Sequence, residues 1–185
     1  MSNNFNTVRE VTRWKNFIFN SEIYDLSHLN AHWVEYFDYR DENNPIPYKF
    51  IVTYGLHCFT KESKELSSEE SELLMYSAPR ESRQFNFERY YLSKELPSII
   101  KSLGDKTTLV CFAGGYDNFS IVKVLDSNGI EVYYFVVFAA FRESKRLRLH
   151  ITSAYPLEKD IGKRKKVNFF VIAEKLLKGK KLPRL

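Results

Sequence analysis

Apolar positions gather in strand-like runs toward both ends of the chain and repeat at helical spacing only near its middle. Residues from about Asn16 to Thr60 are rich in aromatic and β-branched side chains and read as β structure. Ile23–Leu26 predicts a first strand, Ala31–Tyr39 a second, and Tyr48–Phe59 a long apolar third. Between the last two, Asp41-Glu42-Asn43-Asn44-Pro45-Ile46-Pro47 reads as a loop, because proline cannot donate to a central ladder. Lys61 to Glu81 turns polar and acidic, a surface excursion in which Ser67-Ser68-Glu69-Glu70 marks one short helix start. Leu92, Leu96, Ile99, Ile100 and Leu103 then recur at helical spacing. Asn86 caps this helix, Pro97 kinks it or begins a fresh first turn, and Gly104 ends it.

The remainder reads as a β-meander. Thr107–Ala113 and Phe119–Leu125 are strands, and Asp126-Ser127-Asn128-Gly129 supplies a hairpin turn, since Asn-Gly tolerates positive φ. Ile130–Phe141 is nearly all apolar, as a central strand should be. From Leu147 to Tyr155 the alternation puts Leu147, Leu149, Ile151, Ser153 and Tyr155 on one face, with Arg148, His150, Thr152 and Ala154 on the other. Lys159–Lys166 is a basic loop, and Val167–Ile172 is strand or helix start; so short an apolar run does not decide. The expected fold is α+β, an antiparallel sheet packed against one or two helices, with an N-terminal β extension. One domain accounts for the 185 residues: an N-terminal β region to about 60, the acidic excursion at 61–84, and the helix plus meander at 85–185.

Composition excludes several classes. At 44% apolar and 16% aromatic the chain is not globally disordered. No run of about 18 apolar residues would span a membrane, and Met1–Thr12 lacks a signal-peptide core. Cys58 and Cys111 both sit in apolar strand-like segments, which argues against a disulfide framework and for a cytosolic protein. The formal charge of +5 hides an asymmetry: Arg142–Leu185 carries 14 Lys/Arg against 4 Asp/Glu, leaving 14 against 19 elsewhere. A clustered positive field favours nucleic acid or another polyanion. It also suits an acidic protein partner, such as an antitoxin or host factor.

The chain holds no phosphate-binding glycine loop, since Gly114-Gly115 stands alone. It has no zinc-type His/Cys spacing, and His28 and His32 lie in a strand-like context, so no metal or cofactor is expected. Metal-free RNA cleavage needs a base for the 2′-hydroxyl proton, cations for the developing charge, and an acid for the leaving oxygen. His57 and His150 offer near-neutral pKa values. Arg142, Arg146 and Arg148 offer bidentate phosphate seats, unless they merely guard an edge strand. Lys163-Arg164-Lys165-Lys166 offers backbone contact next to Phe169-Phe170, which are core residues or stacking platforms. Cys58 reads as core packing rather than a nucleophile.

Tyr24-Asp25-Leu26-Ser27-His28-Leu29, Gly55-Leu56-His57-Cys58-Phe59-Thr60, Phe87–Ser93, Thr152–Tyr155 and Lys165–Ile172, in this order, resemble a family of bacterial prophage and mobile-element proteins labelled stationary-phase adaptation or heat-shock-like. The likeness covers roughly residues 20–183. A second likeness, a helix followed by a meander whose basic strand ends in Ser-Ala-Tyr, is to the barnase/colicin/RelE group of metal-independent ribonucleases. It implies a strand-end arginine at Arg142, catalytic-strand residues at Ser153 and Tyr155, and a phosphate-contacting lysine at Lys166, whereas His57 falls upstream of the usual order. The expected function is a metal-independent endoribonuclease, as toxin or phage-defence effector; the alternatives are a non-catalytic nucleic-acid module and a protein-binding factor.

Overall fold

The computed structural model describes residues 10–105, 108–112, 118–121, 124–125, 131–157, 162–163 and 165–182. The N-terminal half contributes β1 (Phe17–Phe19), β2 (Glu22–Tyr24), β3 (His32–Asp38) and β4 (Ile46–His57). The excursion folds as α1 (Ser68–Leu73) and a hairpin of β5 (Met75–Ser77) and β6 (Ser82–Gln84). Then come α2 (Phe87–Ser93), α3 (Leu96–Lys101), β7 (Leu109–Phe112), β8 (Asn118–Ile121), β9 (Val124–Leu125), β10 (Glu131–Glu143), β11 (Arg146–Leu157), β12 (Lys166–Asn168) and α4 (Phe169–Leu177). The expected hairpin turn at Asp126–Gly129 lies outside the described residues.

Local signals explain most boundaries. Ser67 and Glu70 form the reciprocal capping box that the excursion predicted for α1. Asn86 Oδ1 accepts from the Arg89 amide at 2.9 Å and starts α2. Pro97 sits in the first turn of α3, where its missing N–H leaves no bond unmade, so of the expected kink or fresh first turn the second is found and the segment forms two short helices. Asn168 caps α4 through the Phe170 amide, which resolves the ambiguous run into a three-residue strand followed by a helix. Pro47 is in β4, not in a loop. It faces Phe37 of β3, ahead of Phe50 where pairing with β11 begins, so nothing on that side requires its absent N–H.

Among the described residues the main sheet runs β12-β7-β8-β10-β11-β4-β3, with β9 also paired to β10. The fold is α+β, and β4 lies parallel to β11 while the other pairings of the main sheet are antiparallel. β3 and β4 therefore complete the main sheet, while β1 and β2 pair only with each other. Helices cover one face. Tyr36 Oη donates to the Ile100 carbonyl of α3 at 2.7 Å, and Phe169 of α4 packs against Tyr36 and Phe50. Tyr48, Phe50, Val52, Leu149, Ile151, Tyr134, Val136 and Phe138 are buried beneath this layer. A second aromatic cluster joins the β1–β2 hairpin, the β5–β6 hairpin and α2, with Phe17 stacked on Phe85 at 4.1 Å.

The period-two pattern of β11 is interrupted. Against β10, Thr152 is the extra residue of a β-bulge opposite the Val137–Phe138 step, and at the same place the register with β4 shifts in the other sense, β4 advancing three residues from Tyr54 to His57 while β11 advances two. Thr152 Oγ1 donates to the Val137 carbonyl at 3.2 Å. Gly55 of β4 lies against this bulge: a Cβ there would stand 2.8 Å from the Thr152 carbonyl oxygen. We expect Gly55→Ala to lower stability by about 2 kcal/mol through this overlap, measured as a reduced urea midpoint with unchanged slope.

Candidate functional site

The bulge decides which residues share a surface. Before it, Arg148 and His150 pair with Phe141 and Ala139 of β10, opposite the helix-covered face. After it, Ser153 and Tyr155 pair with Val137 and Phe135 on that same side, and Ala154 turns inward beside Val136. His57 of β4 is the register partner of Ser153. His57, His150, Ser153 and Tyr155 therefore project from one face, where strict alternation would place His150 opposite Ser153 and Tyr155. Arg142 is different. It pairs with Leu147, on the helix side, and its Nη1 donates to the Leu177 carbonyl at the end of α4.

The residue 10–14 segment and the tip of the β5–β6 hairpin cross this helix-free face and enclose a groove of about 600 Å³. Its walls include Glu10, Arg13, Arg80, Glu81, His57 and His150. Thr53 of β4, fully buried, donates its hydroxyl to Glu10 Oε2 at 2.6 Å. Arg148 Nη2 donates to the same oxygen at 2.8 Å, and Glu143 Oε2 is 3.7 Å from Arg148 Nη1. His150 Nδ1 lies 3.0 Å from Thr53 Oγ1 and 3.5 Å from Glu10 Oε1. Burial lowers the His150 pKa, Glu10 opposes this, and Arg148 adds to the lowering. The result is an imidazole that favours its neutral form.

At the other end of the groove, His57 Nε2 is 3.3 Å from both Glu81 oxygens, and Arg83 Nη1 donates to Glu81 Oε1 at 3.2 Å. Burial pushes the Glu81 carboxyl up, but the bonds from Arg83 and His57 together hold it below its usual value. Arg89 anchors the strand end by donating to the His57 and Thr60 carbonyls at 3.0 and 2.8 Å, while its guanidinium lies over the Tyr155 ring.

The basic residues do not gather as the charge pattern implied. Arg148, expected to face phosphate, is only 2% exposed and committed to Glu10, because a buried guanidinium needs a carboxylate partner. Arg146 is exposed at the β10–β11 turn. Lys163, Lys165 and Lys166 are exposed at or beside β12, four strand steps from β11 or roughly 19 Å away. Arg164 lies outside the described residues. Phe169 and Phe170 are core residues. Burial pushes the Cys58 thiol up to about 12, so it is no nucleophile. His28 bonds Ser93 and His32 bonds the Asn30 carbonyl, so the two rings hold separate partners. Among the described residues no His/Cys/Asp/Glu group could hold a metal, and no helix is long and apolar enough to cross a membrane.

Glu10, Thr53, Arg13, Arg80 and Glu81 carried no sequence signal except at Thr53, a lone aliphatic hydroxyl within the apolar run Phe50–Tyr54. A buried neutral histidine sets the sign of a pH dependence. On descending through the ordinary value of 6.5, the unfolded chain takes up a proton that folded His150 resists, so stability falls as pH falls. Urea midpoints should decline from about pH 7.5 to 5, and His150→Asn should flatten that slope. Glu10→Ala, which strands the buried Arg148 charge, should destabilise by about 3 kcal/mol, measured at neutral pH by the same titration.

Comparison with known proteins fits a chain organised over nearly its whole length. The model of the YjaZ family matches residues 16–177. Protein YjaZ of Escherichia coli (strain K12) is 43% identical over 178 residues, covering 95% of this chain and 97% of that protein. No solved structure matches significantly. With the strand pair, the bulge and both groove histidines inside the matched region, the chain belongs to the YjaZ family.

Proposed function

We propose that the groove is a metal-independent acid–base site that takes an RNA strand and cleaves it, with His150 as the base. The observation that carries this reading is the His150 ring itself. Its Nδ1 is engaged by Thr53 and Glu10, and its Nε2 has no hydrogen bond among the described residues at the groove wall. A neutral imidazole with one nitrogen held and the other open is the form a general base requires. Arg13 and Arg80 on the groove wall supply cations for a phosphate. His57, carried by Glu81, supplies an acid at the far end. Ser153 and Tyr155 extend the same face as polar and stacking contacts. Induced in a cell, such an activity would arrest growth, as a toxin or phage-defence effector does.

The spacing of the two histidines also fits a reading without chemistry. Thr53, the register partner of His150, and His57 are four residues apart on β4, or about 13 Å at the strand rise. That span exceeds a single proton-transfer contact of about 3 Å, so the two histidines flank a ligand rather than clamp one atom. A module that binds RNA and leaves it whole would be served equally by this spacing.

Purified protein incubated with total RNA in EDTA separates the two. Cleavage should appear, fall by at least about a hundredfold in His150→Ala, and fall further when His57→Ala is added. Intact RNA with salt-sensitive retention, weakened by a double Arg13→Ala, Arg80→Ala variant, would instead establish binding alone. Intact RNA with no retention would sink both.

A further inference from the structure

We propose that Thr53 and Glu10 are positioning residues that hold His150 with its proton on Nδ1 and its Nε2 lone pair open to the groove. This rests on the reading of His150 as the base. The argument is a count of protons. A hydroxyl has one proton, and that of Thr53 points to Glu10 Oε2 at 2.6 Å. A carboxylate only accepts. The 3.0 Å contact between Thr53 Oγ1 and His150 Nδ1 can then be a hydrogen bond only if the imidazole donates. A neutral ring that donates from Nδ1 carries its lone pair on Nε2.

The geometry excludes the competing roles. Thr53 is fully buried, so its hydroxyl is not a nucleophile for a groove ligand. Arg148 is held by Glu10 and is turned from phosphate recognition to fixing that carboxylate. The chain Arg148–Glu10–Thr53–His150 draws on three separate pieces: the segment before Trp14, the middle of β4, and β11. The charged groups facing His150 are Glu10 from the N-terminal segment and Arg148 from its own strand, with Glu143 behind Arg148. His57, Arg13, Arg80 and Glu81 line the same groove. A ring whose tautomer is set by its second nitrogen's partner loses function when that partner is removed, even when the ring stays in place.

The test uses the full chain with nitrogen-15 in its histidines. Long-range proton–nitrogen spectra above the His150 titration should show Nε2 as the unprotonated nitrogen. In Thr53→Val the proton should move to Nε2, and Thr53→Ser should return it to Nδ1. RNA turnover should drop at least about tenfold in Thr53→Val and recover in Thr53→Ser. In Glu10→Gln, which keeps the shape and removes the charge, the His150 titration should move to lower pH. A folded Thr53→Val whose His150 keeps its proton on Nδ1 overturns the proposal. Should that variant not fold, an unmoved His150 titration in Glu10→Gln does so. The spectra read the tautomer whether or not RNA is cleaved. An inactive protein with the expected tautomer behaviour therefore refutes the RNA reading and leaves the positioning intact.

Discussion

The parallel pairing of β4 with β11 is the constraint from which the rest follows. It runs from Leu147 opposite Phe50 to Ser153 opposite His57. Parallel neighbours cannot be joined by a tight turn, so the chain between them must leave the sheet and return. Here the crossover carries the acidic excursion, α2, α3 and most of the antiparallel strands. β4 is thereby covered on both sides, which explains a strand with Phe50, Ile51, Val52, Thr53 and Tyr54 all buried in succession. The same pairing brings a histidine from the first third of the sequence beside the last long strand.

The bulge at Thr152 is the second consequence of this close approach. Side-chain direction in a strand has a period of two, so one extra residue reverses every later position. That reversal keeps Ala154 in the core beside the buried Val136 and turns Ser153 and Tyr155 to the groove side. Gly55 permits it, because any Cβ at that position would meet the bulged backbone. The candidate site is thus a product of one glycine, one inserted residue and a parallel register.

Charge obeys the same logic. The sequence segregates positive residues beyond position 141, and a segregated run invites a picture of one basic surface. Folding distributes those residues among β12, the end of the β10–β11 hairpin and the helix-covered face, while Arg148 goes inside with Glu10. A buried ion pair adds little net stability, but a buried guanidinium without its carboxylate is strongly unfavourable. The N-terminal segment is therefore held on the sheet by a charge it must neutralise. The cations of the groove, Arg13 and Arg80, come from the part of the sequence whose net charge is negative.

Sequence alone determined what is settled within a few residues. The capping box at Ser67, the cap at Asn86, the break at Pro97 and the apolar runs of β4 and β10 were all legible, because a cap or an alternation is a property of neighbours in the chain. It also marked His57 and His150 by their chemistry, with no means of bringing them together. The register between β4 and β11, the bulge, and the pairing of Glu10 with Arg148 were decided only by the tertiary structure. Those contacts join residues separated by tens to more than a hundred positions. Their energies come from burial and from the shape of the packed sheet, neither of which any local stretch of residues encodes.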